Sequence, residues 1–401
     1  MSDPPRPALI ARAAARVEAR ANAQLKRLLV TQDSREGASL VRDGQRLRNF
    51  ASNDYLGLAQ HPGVRAALVE GVQRFGVGSG AAHLLGGHFE PHRALEQSFA
   101  EWLGYRRALL FASGYQANLG VPMALLERGE YVVEDKLNHA SLIDAAALAR
   151  AHLVRYPHAD AQGAARQLAR VPPSSAALLM TDGVFSMDGD VAPLAALSGV
   201  ARAANATLMV DDAHGCGVVG PDGRGSVAAS GLDSDHVPLL TVTLGKAFGT
   251  CGGLVLGDTD LIEALLQFAR PYVYSTALPP ALAHSTLAAL AIVRGDEGSV
   301  LRARLHQSIA RWRAGAAQLG LPVLDSSTAI QPLKLGDATS ALDAQAFLAR
   351  RGFFVGAIRS PTVPQGQARL RITLSALHGD QDIDALLGSC AEWWVRRARN
   401  D

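Results

Sequence analysis

The chain has 401 residues, 48% of them hydrophobic and 19% charged, with a formal net charge of +2. That share fills one large domain plus a smaller one, and the balanced charge points to neither nucleic acid nor membrane as a partner. No apolar stretch reaches the ~18 residues of a membrane span, and Cys216, Cys251 and Cys390 are an unpatterned set that fits a reduced, cytoplasmic protein.

At the N-terminus Ile10, Ala14, Val17, Ala21, Leu25 and Leu28 recur at helical spacing, with Arg12, Arg16 and Arg20 on another face. An Arg-rich amphipathic start also marks organelle transit peptides. This one is poor in serine, carries Glu18 and lacks a secretory h-region, so a helix packed on the mature protein is expected. Residues 39–47 read as a hairpin around Asp43-Gly44. From Asn53 to Pro280, apolar runs at 107–111, 129–134, 152–155, 176–181, 208–210, 239–243 and 252–256 alternate with helical patterns. Such alternation predicts an α/β fold, a mostly parallel sheet sandwiched by helices. A single long helical pattern follows at 281–319, and then a mixture of strand and helix patterns to 395. The expected organisation is an N-terminal helix and hairpin segment at 1–50, a large domain at 51–285 and a smaller C-terminal α/β domain at 286–401.

The chemistry-bearing motifs lie mostly at strand ends. His83, His88 and His92 are close in sequence, but offsets of five and four match no familiar zinc spacing, and no metal is expected. Phe111 to Asn118 runs from a strand through Ser113-Gly114 into a helix, whose free N–H groups suit a phosphate. His139 follows another strand at a helix start, where a flat imidazole can stack on a planar cofactor. The stretch 181–190 supplies three carboxylates and Ser186, without the alternating ligands of a calcium loop. Asp182 and Ser186 therefore read as cofactor-side polar groups.

Thr207 to Gly215 ends an apolar strand in Asp211-Asp212, with His214 three residues after the first aspartate. Beyond the carboxyl end of a parallel strand, Asp211 is placed to keep a pyridine nitrogen protonated. Gly215-Cys216-Gly217-Val218-Val219-Gly220 matches the dinucleotide fingerprint letter for letter. That fingerprint needs a helix directly after it, and Pro221, Gly223 and Gly225 oppose one. Lys246 lies between two apolar runs, where desolvation lowers an ammonium's pKa and frees the amine as a nucleophile. Lysines that carry pyridoxal phosphate need that setting. Arg369 and Arg371 alternate with apolar residues on a half-buried strand, and either is suited to clamp a carboxylate.

Taken in order, Asn53-Asp54-Tyr55-Leu56-Gly57, Ser113-Gly114-Tyr115, Asn138-His139-Ala140-Ser141, Ser186-Met187-Asp188-Gly189, Asp211 to Gly215, Gly245 to Gly249 and Tyr274-Ser275-Thr276 resemble the α-oxoamine synthases. These are fold-type-I pyridoxal phosphate enzymes that join an amino acid to an acyl thioester with loss of carbon dioxide. The resemblance runs from about Arg27 to His378. Within the family, the runs 80–85 and 357–364 resemble the branch that joins L-alanine to a pimeloyl thioester, carried on coenzyme A or an acyl carrier protein. The alternative keeps the chemistry with glycine and acetyl-CoA. Departures are Asp182, where glutamate is common, and Gly86-Gly87-His88, which varies a Ser-Gly-Tyr stretch.

The resemblance implies roles at matching positions. Lys246 holds the cofactor covalently and moves the α-proton, Asp211 holds the ring nitrogen, His139 stacks on the ring and His214 holds the ring oxygen. Gly114, Tyr115, Ser186 and Thr243 anchor the cofactor. Arg371 would hold the amino acid carboxylate, and Asn53, His139, Arg27 and Thr362 match substrate-contacting positions. The family works as homodimers, with Ser275-Thr276 directed at the neighbour's phosphate.

Overall fold

The structure, a computed structural model, describes residues 7–398. The chain opens with α1 (Ala8–Asn22) and an antiparallel meander of β1 (Ser34–Glu36), β2 (Ser39–Arg42) and β3 (Gln45–Asn49). The hairpin turn has positive φ at both Asp43 (50°) and Gly44 (70°), which matches the twist of its flanking strands. α1 buries none of its residues, so the expected packing of this helix does not occur within one chain. Leu9, Ile10 and Val17 face outward.

After α2 (Pro62–Phe75) and α3 (Glu90–Leu103), strands and helices alternate. They are β4 (Arg107–Phe111), α4 (Gly114–Leu125), β5 (Tyr131–Asp135), α5 (Ala140–Leu148), β6 (His152–Tyr156) and α6 (Ala161–Leu168). Then come β7 (Ala177–Asp182), α7 (Leu194–Ala203), β8 (Thr207–Asp211), α8 (Gly225–Ala229), β9 (Leu239–Thr243) and β10 (Gly253–Gly257). The seven apolar runs of the sequence thus form one sheet, in the order β4-β10-β9-β8-β7-β5-β6. It is parallel from β9 to β6, and only β10 runs against its neighbours. Helices cover both faces, so β7 and β10 are buried at every residue and read as continuous apolar runs rather than alternating ones.

Beyond α9 (Thr259–Phe268) and α10 (Arg270–Val273), the expected single helix at 281–319 is two: α11 (Pro280–Arg294) and α12 (Asp296–Gln318). Gly295 is extended, and Asp296 and Glu297 favour a fresh helix N-terminus there. α11 packs along α2 and α3, so the boundary expected at 285 falls inside a helix of the large unit.

The remainder is β11 (Ile330–Gly336), α13 (Ala338–Arg350), β12 (Phe353–Phe354), β13 (Gly356–Ile358), β14 (Ala368–Thr373) and α14 (Asp380–Ala398). β11, β14 and β13 form an antiparallel sheet, while β12 pairs with β3, so the N-terminal hairpin and the C-terminal part share a sheet. Among the described residues no helix is long and apolar enough to cross a membrane.

Candidate active site

The carboxyl ends of β4, β5, β7, β8 and β9 open on one cavity of about 260 Å3. Each strand contributes through the residues that follow it: Ser113 to Tyr115 after β4, His139 after β5, and Asp182, Asp211 and Thr243 at the last positions of β7, β8 and β9. Polar groups gather there because a parallel sheet leaves its strand ends free while its faces are sealed by helices.

Lys246 enters from the loop between β9 and β10. Gly249 in that loop has φ +68°, and a Cβ there would lie 2.2 Å from the Ala59 nitrogen, so only glycine allows the loop to press on residues 58–59. Burial lowers the Lys246 pKa to about 8, against the pull of Asp211 and Asp182 toward the charged form. Its Nζ stands 2.9 Å from His214 Nε2. Burial and the neighbouring lysine hold His214 well below the usual imidazole range.

Asp211 is nearly buried, 6% exposed. Its Oδ2 accepts from Asn118 Nδ2 at 2.6 Å and its Oδ1 from the Ala213 N–H at 3.0 Å. Asn118 Nδ2 also donates to Ser141 Oγ at 2.8 Å, while Asn118 Oδ1 is buried without a partner. Asp182 faces Asp211 across the β7–β8 register, and burial followed by that carboxylate raises its pKa well above the carboxyl range. It accepts the His139 N–H at 3.3 Å.

The second aspartate of the pair does something else. Asp212 is 0% exposed and accepts the Ser226 N–H at 2.8 Å. A Cβ at Gly183, Gly215 or Gly225 would come within 2.6, 2.1 or 1.9 Å of its carboxylate oxygens. Gly215 of the fingerprint-like run is therefore glycine to enclose Asp212, and turns with a 3-10 segment (Pro221–Gly223) follow that run instead of a nucleotide-binding helix.

At the start of α4, Ser113 accepts the Gln116 N–H at 3.2 Å, and the first-turn N–H groups of Gly114 and Tyr115 have no acceptor within the helix. A Cβ on Gly114 would meet Thr243 Cβ at 3.3 Å, so the helix end sits directly over the end of β9. Tyr115 is exposed and its hydroxyl donates to Asp144. His139 Nδ1 pairs with Ser141 Oγ at 2.7 Å, and burial lowers its pKa.

β14 brings two arginines to one loop. Arg371 Nε donates to the Ser186 carbonyl at 2.6 Å, and its Nη1 donates to Asn53 Oδ1 at 3.1 Å and Thr373 Oγ1 at 3.0 Å. Arg369 pairs with Asp188 and the Met187 carbonyl. Arg27 and Thr362 lie elsewhere. They meet at 3.4 Å in a cavity of about 1080 Å3 between the N-terminal segment and β12–β13, which shares no lining residue with the Lys246 cavity. Ser275 Oγ accepts from Gln116 Nε2 at 3.4 Å, and Thr276 bridges to Ala82.

The three histidines passed over on spacing do converge, with one ring nitrogen of each within 4.8 Å of the others. A 3-10 turn at 83–85 and the start of α3 bring them together. His92 commits both nitrogens to backbone, accepting from the Phe89 N–H at 2.9 Å and facing the Leu278 carbonyl at 2.7 Å. His83 and His88 face each other at 3.0 Å.

Two residues of the site are given no role by the sequence. Asn118 sits one helical turn inside α4, and Tyr55 is 159 positions from the His214 Nδ1 it meets at 2.5 Å. Both stand inside motifs read from the sequence, Asn53 to Gly57 and Phe111 to Asn118, and that membership is the signal that could have found them.

The donor set fits pyridoxal phosphate. An amine of lowered pKa, a buried carboxylate braced by Asn118, and a helix N-terminus aimed at the same space match an aldehyde, a ring nitrogen and a phosphate.

A family model described as aminotransferase class I and II matches residues 46–389. An 8-amino-7-oxononanoate synthase of Stenotrophomonas maltophilia is 54% identical over 387 residues, which is 96% of this chain and 94% of that one. One from Xylella fastidiosa is 53% identical over 362 residues, 90% of each chain. Among solved structures, a variant serine palmitoyltransferase from S. paucimobilis with a bound PLP–myriocin aldimine superposes with a TM-score of 0.91 at 28% identity, covering 97% of this chain and 98% of that one. The 8-amino-7-oxononanoate synthase from Francisella tularensis gives 0.76 at 29% identity, over 88% and 99%. The architecture expected from the sequence, fold type I, is the one observed.

Proposed function

The chain belongs to the aminotransferase class I and II family, and we propose that its reaction is that of 8-amino-7-oxononanoate synthase. L-alanine condenses with a pimeloyl thioester to give 8-amino-7-oxononanoate, carbon dioxide and free thiol, a step of biotin biosynthesis. The observation that carries this reading is the meeting of Lys246, Asp211 and the α4 N-terminus around one cavity. The identity of 50–54% to relatives of that name supports the choice of substrates.

Pyridoxal phosphate supplies an electron sink for the carbon that loses its proton. Lys246 would hold it covalently, and Gly114, Tyr115, Ser186 and Thr243 would anchor it. Asp211, held by Asn118 and the Ala213 N–H, would keep a proton on the ring nitrogen. His139 would cover the ring and His214 would hold the ring oxygen. Lys246 Nζ would take the α-proton of the bound alanine, and a pKa of about 8 suits it to do so near neutral pH. Arg371 is fixed through Ser186 and Asn53, which orients its fork for the alanine carboxylate. Arg27 and Thr362 line the space assigned to the acyl donor, with Lys26, Arg42 and Arg359 adding positive charge for coenzyme A phosphates or an acidic carrier protein.

A homodimer is part of this reading. It is supported by the apolar surface of Leu28 (76% exposed), Leu29 (105%), Val77 (81%), Leu85 (80%) and Tyr274 (72%), and by α1, which has nothing to pack on in one chain. The enzyme would work in the cytoplasm, with its three cysteines free.

The test is the visible spectrum of the purified protein with pyridoxal phosphate, followed on adding L-alanine and then pimeloyl-CoA. A lysine-bound pyridoxal band that shifts with alanine, and thiol release only on adding the pimeloyl thioester, is the expected result. Response to glycine and acetyl-CoA alone would move the reaction to a sister enzyme, and no bound band at all would remove the cofactor.

A further inference from the structure

Tyr55 is fully buried, and its hydroxyl lies 2.5 Å from His214 Nδ1, while His214 Nε2 lies 2.9 Å from Lys246 Nζ. A hydroxyl both donates and accepts, whereas a neutral imidazole donates at one nitrogen and accepts at the other. Two arrangements that satisfy every member differ in the His214 tautomer. With Lys246 as an ammonium, Nζ donates to Nε2, His214 carries its hydrogen on Nδ1 and donates to the Tyr55 oxygen, and Tyr55 turns its own hydrogen toward Asn53 Oδ1 at 3.5 Å. With Lys246 as a free amine, His214 carries its hydrogen on Nε2 and donates to Nζ, and Tyr55 donates to Nδ1. His214 and Tyr55 hold one proton each in both arrangements. Only the proton that Lys246 gives to the medium differs.

We propose that Tyr55 is a positioning residue that, before the cofactor occupies the site, lets His214 change tautomer with the charge of Lys246, accepting from the ammonium and donating to the free amine. This deepens the proposed function and rests on Lys246 being the cofactor-bearing lysine. The surroundings favour it. Burial and Lys246 keep His214 neutral, and burial pushes Tyr55 up to about 12, so it stays a phenol. The charged and titratable groups around the relay are Asp211, Asp182, Asp212 and Arg371 near Lys246, Arg371 and His139 near His214, and Arg371 again beside the Tyr55 hydroxyl. None can replace Tyr55 at Nδ1: Arg371 only donates and is already tied to Ser186, Asn53 and Thr373.

Tyr55→Phe keeps the ring and removes the hydroxyl. A buried bare acceptor is tolerated better than an orphaned N–H, so His214 is left in its Nε2–H form, which donates toward Lys246 and disfavours the ammonium. The Lys246 titration midpoint should then fall by about one pH unit. The readout is the pH dependence of Lys246 modification by trinitrobenzenesulfonate, followed by peptide mass spectrometry on the full chain stripped of cofactor. The rate of pyridoxal phosphate capture is recorded in parallel. A role through His214 also requires that Tyr55→Phe cause no further shift in a His214→Gln background. Equal midpoints in wild type and Tyr55→Phe, or an undiminished shift without His214, would overturn the proposal. Should Tyr55→Phe fail to fold, 15N shifts of the His214 ring in the wild type decide: a tautomer change that tracks Lys246 supports the relay, and one fixed tautomer sinks it. A shifted lysine midpoint without any capture of pyridoxal phosphate by the wild type would leave the relay standing and remove the cofactor reading.

Discussion

Two histidines near the carboxyl edge of the same sheet have opposite electrostatic fates. His214 packs against Lys246 and stays neutral. His158, just past β6, is bracketed by Asp135 at 3.0 Å and Asp190 at 2.8 Å. Burial works against its charge, but the two carboxylates outweigh it and hold its pKa at about 10. What surrounds the ring decides which way its pKa moves. The first arrangement lowers the pKa of a buried amine toward neutrality; the second ties β5 to the loop that carries Ser186, since Asp190 closes that loop on Phe185 through the Phe185 N–H to Asp190 carbonyl bond of 2.9 Å.

The contrast makes variants separable. In the Lys246 cavity, removing a group should cost turnover far more than folding. Lys246→Ala should lower turnover by about 10^4-fold and abolish the lysine-bound pyridoxal band. The melting temperature of the cofactor-free chain should not fall, because a lysine with a depressed pKa is a burden on the fold below pH 8. Asp211→Asn should reduce turnover by roughly 10^2 to 10^3-fold and weaken cofactor retention, measured by dialysis and residual absorbance. Equal loss of stability and activity in either variant would erase the distinction between the two regions.

In the His158 clamp the expected order reverses. His158→Gln should destabilise by roughly 3 kcal/mol in denaturant titrations at pH 6 to 7, because two partly buried carboxylates lose their cation. Turnover of the folded variant should change by only a few-fold. The pH dependence follows from the raised folded pKa. The stabilisation is complete below the unfolded histidine value of 6.5 and is lost as pH rises through about 10. Wild type and His158→Gln should therefore converge in stability toward alkaline pH, and a gap that stays constant from pH 6 to 10.5 would dismiss the charge assignment. The smallest effect belongs to Asp188→Asn, whose ion pair with Arg369 is partly exposed: about 1 kcal/mol, with the KM for alanine rising modestly if the Ser186 loop loosens.

Much of the sheet was legible because its information is local. Each buried parallel strand is a short apolar run, and the residues that close each run, Ser113, His139, Asp182, Asp211 and Thr243, arrive at the cavity simply by following their strands. Where local reading failed, the deciding contact was remote. The break at Gly295 left the helical periodicity almost unbroken, and the Arg-rich first helix looked amphipathic although one chain offers it nothing to pack on. The histidine spacing suggested no cluster, yet a 3-10 turn folded the three rings together.

The sequence by itself determined the α/β class and which strand ends would bring Lys246, Asp211 and His214 to one cavity, because motif and strand are continuous in the chain. Only the tertiary structure decided that Asp212 is a packing carboxylate enclosed by three glycines while its neighbour Asp211 faces the cavity. It also set Arg27 and Thr362 together in a separate space, and put Tyr55 on the far nitrogen of His214. Those outcomes depend on which distant elements meet, and burial then fixes their hydrogen bonds and charges in ways no stretch of sequence contains.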